Sequence, residues 1–331
     1  MSDPKTTAKK NATFTSNYFT LKPEKRWQEN DVSYVRLRAN DRFGNRRHSF
    51  ERRIFSAVTA QMEKYLRKRP HLDATHPKNY VTKIIYFPSA MRAWAAYMPG
   101  GFATFHVHNP DRTHLKSGHK IDYITKNLFK HASDAIGLRS RAYAMAWWLH
   151  GIYSDRKQLS WLSIATGTGQ PTFDAARLFD ADVTFHLTDI SSEALSFAKT
   201  IAEEYGVKKN KLHLSQLDLR KKKAYEALLD ESKPDIIEAM GLFEYLSDAE
   251  ASQLIKRTLS RAKKGSTMIF TNMHSDHPQL STHKRGLGWP DVIPRTPDEV
   301  LKIMTSAGVK RQQISILLPD DSVYAVYAVA L

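Results

Sequence analysis

The sequence of 331 residues contains no cysteine. This absence excludes disulfide bonds, thiolate zinc sites, iron–sulfur clusters and a cysteine nucleophile. Long apolar runs are also missing: the longest, Ala142 to Leu149, is too short for a membrane span, and the first twenty residues lack the apolar core of a secretory signal. We therefore expect a soluble, cytoplasmic protein without membrane insertion.

Acidic residues are scarce in the first half of the chain. Residues 1–160 contain 29 Lys and Arg against 12 Asp and Glu, a net charge of +17, whereas the remainder is near neutral at −1 and the whole chain is +16. Such asymmetry is compatible with a nucleic-acid or anionic partner, and equally with a solvated basic surface. The change near residue 160 predicts a domain boundary.

The first 158 residues predict a tail followed by helices. Residues 1–30 are polar without a period, which predicts a disordered or loosely packed basic tail. Residues 31–158 predict a mainly helical lid domain, with helices near 49–69, 121–129 and 137–153 and two short strands at 81–87 and 101–107.

Strands and helices alternate from residue 159 to the end. Apolar runs predict strands at 161–165, 183–187, 212–217, 235–240 and 267–273, with a closing pair at 314–318 and 323–329. The helix near residue 250 begins with the capping box Ser247-Asp248-Ala249-Glu250. This βαβα pattern predicts a Rossmann-like, doubly wound α/β domain at 159–331.

Ligands of such sheets bind at the carboxyl ends of the strands. Here these ends carry Gly167-Thr168-Gly169, Asp189, Asp218 and the segment 238–241. The glycine turn allows a close approach to the backbone, Asp189 can bind both ribose hydroxyls, and Asp218 can accept a hydrogen bond from an adenine amino group. The spacing predicts a site for an adenosine-containing ligand.

The glycine turn does not suit a phosphate. A dinucleotide motif requires a third glycine where this chain has Thr172, Pro171 removes a backbone donor, and the Walker motif is absent. A ligand without a phosphate at this turn fits better.

Residues 159–331 resemble the class I S-adenosylmethionine-dependent methyltransferases. The resemblance rests on the segments LSIATGTGQP, HLTDIS, SQLDLR and PDIIEAMGLFEYLSD. In addition, SDAIGLRSRA at 133–142 is similar to a stretch in a bacterial subgroup that has a helical N-terminal segment. The resemblance implies a mostly parallel seven-stranded sheet with an antiparallel last strand. The implied cofactor is S-adenosyl-L-methionine, and the implied contacts are Ala165, Thr166, Gly167, Gly169, Gln170, Asp189, Ile190, Asp218, Leu219, Glu238, Met240 and Gly241.

Two positions depart from the family pattern. Ser163 stands where an acidic residue is usual, and Ala165 stands where the first glycine is usual. Recognition of the methionine ammonium is therefore expected to involve another group, such as Glu238, Glu244 or a backbone carbonyl near Ala165.

Candidates for the acceptor side follow the fourth and fifth strands of this domain. Tyr245, His274 and Glu244 are the predicted catalytic residues, with Asp276 and His277 beside them. A metal trio of His274, Asp276 and His277 is disfavoured because their spacing does not match a helical pair, so no metal is expected. Tyr123, Arg139 and Arg141 are predicted to contact substrate, the tyrosine at the sulfonium and the arginines at an anionic group.

The predicted function is methyl transfer from S-adenosylmethionine to a small, possibly anionic acceptor. One alternative is an RNA methyltransferase or nucleic-acid-binding protein that uses the basic half, whose affinity would fall steeply with salt. Another is a lyase that cyclises S-adenosylmethionine to azetidine-2-carboxylate, since the changes at Ser163 and Ala165 could reposition the methionine half.

Overall fold

The computed structural model describes residues 14–15, 19–41, 43 and 48–331. Within them the strands are β1 (Phe14–Thr15), β2 (Phe19–Glu29), β3 (Val32–Asp41), β4 (Gln158–Ile164), β5 (Asp182–Asp189), β6 (Leu212–Gln216), β7 (Ile236–Ala239), β8 (Thr267–Met273), β9 (Ile314–Pro319) and β10 (Tyr324–Ala330). They form one sheet in the order β1-β2-β3-β9-β10-β8-β7-β4-β5-β6.

The helices in the described part of the chain fall into two groups. Before β4 they are α1 (Ser49–Arg67), α2 (Tyr80–Ile85), α3 (Ser89–Ala95), α4 (Gly101–His108), α5 (Tyr123–His131) and α6 (Ser133–Tyr153). After β4 they are α7 (Gln170–Ala176), α8 (Ser192–Glu204), α9 (Lys222–Ser232), α10 (Asp248–Arg261) and α11 (Pro297–Ser306). No helix of the described residues is long and apolar enough to cross a membrane.

The predicted doubly wound sheet is confirmed. Strands β6, β5, β4, β7 and β8 are parallel neighbours, and β10 enters antiparallel between β8 and β9. Every residue of β7 and β8 is buried, as expected for central strands covered on both faces. The capping box of α10 is also present, with Ser247 and Glu250 bonded to each other's backbone.

The sheet is larger than the seven strands predicted. Strand β3 runs parallel to β9, and β2 pairs antiparallel with β3. The predicted tail is therefore wrong for residues 14–15 and 19–29, which are strands, while residues 1–13 and 16–18 lie outside the described residues. A bulge between Pro23 and Lys25 interrupts the register of β2, which hides the two-residue period from sequence reading.

The two short strands predicted before residue 110 are also wrong. Residues 80–85 and 101–108 are the helices α2 and α4. Val81 and Ile85, one helical turn apart, pack into the same core cluster, and most of α4 is buried. Short apolar runs of this kind suit a buried helix as well as a strand, and only packing decides between them. The division into a lid and a cofactor domain stays a prediction.

Candidate functional site

The loop after β4 turns sharply through three left-handed residues. Ala165, Gly167 and Gly169 have φ angles of 52°, 55° and 68°. Glycine adopts this conformation freely, but an alanine there is strained, at a cost of order 1 kcal/mol. The backbone N–H of Thr166 donates to the Thr188 carbonyl at 2.9 Å, which fixes the turn against β5.

Asp189 ends β5 directly beside this turn. Its Oδ2 accepts the Gly167 N–H at 2.8 Å, and its Oδ1 accepts the Ser191 N–H at 2.9 Å. The carboxylate is thus oriented from two sides at the mouth of the site. This is the geometry expected of a group that binds a vicinal diol.

Two cavities meet at Asp189. The larger, of about 740 Å³, lies between the strand tips and the helices that precede β4. The smaller, of about 230 Å³, is a mainly apolar slot. Both are lined by Ala165, Asp189, Ile190 and Leu242.

The small slot combines apolar walls with one carboxylate. Leu217, Leu219 and Leu246 form apolar walls, and Asp218 lies at its edge. Hydrogen bonds from Arg220, including Nη2 to Asp218 Oδ2 at 2.9 Å, hold the pKa of the Asp218 carboxyl below its usual range. The carboxylate is therefore charged, and both of its oxygens accept hydrogen bonds from Arg220.

Helix α4 begins on top of the glycine turn. A Cβ atom built on Gly101 would lie 2.7 Å from the Cα of Gly167 and 3.0 Å from the Thr168 nitrogen. Both neighbours are backbone atoms, so nothing larger than glycine fits without a backbone shift. Helix α4 consequently packs directly against the glycine turn.

Glu238 stands next to the position that lacks the usual acid. It is the register partner of Ser163 on the neighbouring strand, it is buried, and it lines the large cavity. The Thr172 hydroxyl donates to Glu238 Oε2 at 2.7 Å. Burial raises the pKa of the Glu238 carboxyl, and the hydrogen bonds only partly oppose this.

Arg141 and Glu244 form a buried ion pair in the cavity wall. Arg141 Nη1 donates to Glu244 Oε1 at 3.1 Å, and the guanidinium lies 4.1 Å from the centre of the Tyr324 ring. Burial raises the pKa of the Glu244 carboxyl, while Arg141 opposes the rise. Gly241 leaves room for this guanidinium, because a Cβ there would lie 2.9 Å from Nη2.

Tyr245 also lines the cavity, but its hydroxyl is engaged. It accepts the indole N–H of Trp289 at 2.6 Å, and burial raises the pKa of the phenol further above its usual range. Tyr245 is therefore a protonated, fixed donor at neutral pH.

Most other predicted cofactor contacts also lie at the cavities. Thr166, Gly167, Ile190, Met240 and Gly241 line the large one, and Leu219 the small one. Gly169 and Gln170 line neither cavity. Gln170 lies beneath the turn, where its side-chain amide donates to Asn109 Oδ1 at 3.0 Å.

Three predicted site residues lie outside the lining of the large cavity. Tyr123 is 67% exposed at the start of α5, away from the cavity. Arg139 is buried and paired with Asp41, with its Nη2 at 2.6 Å from Asp41 Oδ2. His274 does not line the cavity; its backbone forms a bridge to Arg295, and its Nδ1 accepts the Asp276 N–H.

A cluster that the sequence did not predict lies at the far wall of the cavity. Oδ1 of Asp134, at the start of α6, lies 2.9 Å from Nε2 of His277 and 2.8 Å from Nδ1 of His283. Burial acts to raise the pKa of the Asp134 carboxyl, but the two imidazoles hold it well below its usual range. No sequence signal could join these residues, because more than 140 positions separate Asp134 from the histidines.

The charge balance of the large cavity is acidic. Among the described residues its lining has the carboxyl groups of Asp134, Asp189, Glu193, Glu238 and Glu244. Arg141 is the only Lys or Arg among these lining residues. Such a cavity favours a cation such as a sulfonium or an ammonium over an anion.

One segment of the chain matches a known family. Residues 162–268 match the family described as a methyltransferase domain. A search of the curated proteins gave no match.

Similar solved structures cover most of the chain. One is a possible exported protein from Bordetella parapertussis, with 16% identity and a TM-score of 0.60, covering 83% of this chain and 95% of that one. Another is magnesium protoporphyrin IX methyltransferase from Synechocystis with bound S-adenosylmethionine. It has 13% identity and a TM-score of 0.48, and the match covers 72% of this chain and 94% of that one. The likeness to the Bordetella protein supports the fold over 83% of this chain.

Proposed function

We propose that this chain, a class I S-adenosylmethionine-dependent methyltransferase by its matched domain, transfers the methyl group to a small, neutral acceptor. The cofactor is S-adenosylmethionine. The acceptor occupies the large cavity, under the helices that precede β4 and act as a lid.

The observation that carries this proposal is the pair of cavities joined at Asp189. The apolar slot at Asp218 takes the adenine, Asp189 takes the ribose, and the glycine turn takes the methionine half. The sulfonium then points into the large cavity. Remaining space there, beside Trp94 and Trp289, is available for the acceptor.

Glu238 supplies the carboxylate that binds the methionine ammonium. It lies in register with Ser163, so the acid that the family usually carries on the first strand of the domain is provided here by the neighbouring strand. A positive ammonium beside the buried carboxyl lowers the cost of its ionisation. The substitution at Ser163 is thus compensated within the site.

The anionic acceptor expected from the sequence is not supported by the cavity wall. Arg141 is neutralised by Glu244, and the other charged groups of the lining are carboxyls. A further carboxylate or phosphate would face repulsion, so a neutral acceptor is favoured. The cytoplasmic location predicted from the sequence stays a prediction.

Calorimetry with S-adenosylhomocysteine tests the proposal. The variant Asp189→Ala removes the charged carboxylate that accepts two hydrogen bonds from the ribose hydroxyls, and we expect a loss of about 100-fold or more in affinity. Asp180→Ala is the matched control, since Asp180 is an exposed residue paired with Lys157 at 2.7 Å. Absence of binding by the unmodified protein would refute the proposal.

The by-product separates transfer from cyclisation. Methyl transfer releases S-adenosylhomocysteine only when an acceptor is present, whereas cyclisation of S-adenosylmethionine releases methylthioadenosine from the cofactor alone. Incubation with S-adenosylmethionine alone, followed by chromatography, decides between the two. We expect no methylthioadenosine.

A further inference from the structure

Helix α1 exposes an apolar stripe to solvent. Phe50, Ile54 and Val58 follow one another at intervals of four residues, so they lie on one face of the helix. Phe50 is 70% exposed, and the other two are 44% and 45% exposed. Met62 and Leu66 of the same helix are buried in a core cluster. The stripe is thus a second apolar face, which the described residues leave open.

Helix α2 has the same two-sided pattern. Val81 and Ile85 belong to the core cluster, whereas Tyr80 and Ile84, also four residues apart, are 57% and 55% exposed. Phe87, which follows the helix, is exposed as well. A helix that is apolar all round is normally buried all round. In α2 only one of the two apolar faces is buried.

The two helices adjoin each other. Leu66 of α1 and both Val81 and Ile85 of α2 surround Gly286, where an added Cβ would lie within 3.3 Å of all three side chains. The Tyr65 hydroxyl of α1 also donates to the Lys78 carbonyl, just before α2, at 3.3 Å. We call the exposed apolar side chains of the two helices the α1–α2 surface: Phe50, Ile54, Val58, Tyr80, Ile84 and Phe87.

Exposed apolar side chains are concentrated in this part of the molecule. Among the described residues, eleven large apolar side chains are exposed, and eight of them lie between residues 50 and 124. The other three, Ile152, Ile190 and Ile293, are far apart in the sequence. Single exposed apolar residues are common in soluble proteins, but a group of them marks a binding surface.

Positive charge is concentrated in the same helices. Residues 49–92 contain nine Lys and Arg against three Asp and Glu. Lys64 and Lys68 of α1 and Lys83 of α2 are exposed. Of the three acids, Glu63 is buried, where its carboxylate accepts the Thr282 N–H at 2.8 Å. A partner of the α1–α2 surface therefore meets apolar side chains together with lysines.

This combination of aliphatic and basic groups selects the partner. A second copy of the surface would bring like charges together, which opposes self-association. The phosphates of a nucleic acid would attract the lysines, but they offer no apolar region to cover Ile54, Val58 and Ile84. An anionic lipid bilayer suits both kinds of group, because its headgroups attract lysines and its interface takes up aromatic and aliphatic side chains.

Helix α2 connects this surface to the wall of the large cavity. Thr82 Oγ1 donates to the Gly286 carbonyl at 2.9 Å, and Asn79 Nδ2 donates to the Arg285 carbonyl at 2.9 Å. Leu287, the next residue, lines the cavity. The buried side of α2 thus rests on the turn that closes the cavity, and its open side forms the α1–α2 surface.

We propose that the α1–α2 surface attaches this protein to an anionic phospholipid bilayer, independently of the proposed methyl transfer. The apolar side chains of the surface enter the interfacial region of the bilayer, and the neighbouring lysines stay at the level of the headgroups. The attachment is peripheral, because the opposite faces of both helices remain in the core.

Sedimentation with vesicles measures the attachment. The full chain is incubated with vesicles of phosphatidylglycerol and phosphatidylcholine in equal parts, and with vesicles of phosphatidylcholine alone. We expect the affinity for the anionic vesicles to be higher by about 10-fold or more, since the exposed lysines are attracted to their headgroups. This difference should shrink as the salt concentration rises.

Serine substitutions test the apolar contacts. Phe50→Ser should weaken binding to the anionic vesicles by about 10-fold, because the phenyl ring no longer transfers from water to the bilayer. Since Phe50 is exposed in the free protein, the variant should keep its fold, which thermal unfolding checks. Ile152→Ser is the matched control: Ile152 is exposed on α6, outside the α1–α2 surface, and its replacement should leave binding unchanged.

Glutamine substitutions test the electrostatic contribution. Lys64→Gln combined with Lys68→Gln should weaken binding to the anionic vesicles by about 10-fold and make it less sensitive to salt. Lys256→Gln, at an exposed position of α10, is the control and should change neither property.

The lack of cysteine permits a direct test of contact. Ile54→Cys provides a single attachment site for an environment-sensitive fluorophore. Its emission should shift to shorter wavelength when anionic vesicles are added, because the fluorophore leaves water. The same fluorophore attached through Ile152→Cys should show no shift.

Other occupants of the surface give different results. Absence of binding to the anionic vesicles would overturn the proposal, and so would binding that Phe50→Ser leaves unchanged. A dimer that Phe50→Ser dissociates, observed by sedimentation equilibrium, would assign the surface to a second copy of the chain. Tighter binding to RNA than to the anionic vesicles, lost in the double lysine variant, would assign it to a nucleic acid. Either of these last two results would also overturn attachment to lipid.

Discussion

Replacement of Arg139 by glutamine should strongly destabilise the fold. The five N–H groups of its guanidinium match five acceptor contacts: two to Asp41 Oδ2 and one each to the carbonyls of Val107, Phe129 and Lys130. The residue thereby connects β3, α4 and α5 from its position on α6. Its side chain is 2% exposed, so water replaces none of these bonds.

The magnitude follows from the burial of the pair. Removing one partner of a buried ion pair costs about 3–5 kcal/mol, since it leaves an uncompensated charge. Three carbonyls also lose their donors, while Asp41 keeps the Phe43 N–H at 3.0 Å on its other oxygen. We expect a loss of about 4 kcal/mol in the free energy of unfolding, at the middle of that range.

Urea unfolding measures this loss. Arg261→Gln is the control, because Arg261 is exposed and paired with Asp230 at the surface, where a pair contributes about 1 kcal/mol at most. In a double-mutant cycle with Asp41→Asn, the two losses should fall short of additivity by about 1–3 kcal/mol. An Arg139→Gln protein with the stability of the unmodified chain would refute the structural role and return this residue to the substrate candidates.

Three further predictions concern the site and its surroundings. Gly101→Ala should weaken binding of S-adenosylhomocysteine by about 10-fold or more, since the added Cβ displaces backbone that is close-packed at the glycine turn; Gly151→Ala, which meets open space, should not. Glu238→Gln should weaken the same binding. The unmodified protein should lose stability as the pH rises above the ordinary carboxyl pKa of about 4.3, because burial raises the pKa of Glu238 in the folded state. The variant should not show this loss. A difference in unfolding free energy between the two proteins that does not vary with pH would contradict the prediction. Burial lowers the pKa values of three histidines by a large amount, so the unfolded chain takes up protons first, and stability should be complete above about pH 6.5 and fall towards pH 4. They are His106 and His131, at about 4, and His108, at about 3. In urea unfolding the decline should be shallower for His131→Gln, and an equal slope would contradict the assignment.

Sequence reasoning succeeded where the determinants are local. The strands from β4 to β10, the capping box at Ser247 and the polar groups at the strand ends could all be predicted. Parallel strands joined by right-handed helical crossovers bring their carboxyl ends to one edge. The position of Asp189 beside Gly167 therefore follows from spacing alone, before any contact is known.

Sequence reasoning failed where packing decides. Arg139 and Arg141 are two residues apart on one helix and were predicted as equivalent clamps. Residues two apart on an α-helix point in very different directions, so one guanidinium is bound to Asp41 and the other lines the cavity. Nothing in the local pattern shows which of the two faces the cavity.

The sequence by itself thus determined the parallel sheet, the edge at which we propose that the cofactor lies, and the residues of its strand ends. Only the tertiary structure decided the acceptor side. There Asp134, Glu244 and His283 come from three distant segments, and α4 rests on the glycine turn. Long-range packing brings these groups together, and no periodic pattern along the chain predicts that they are close in space.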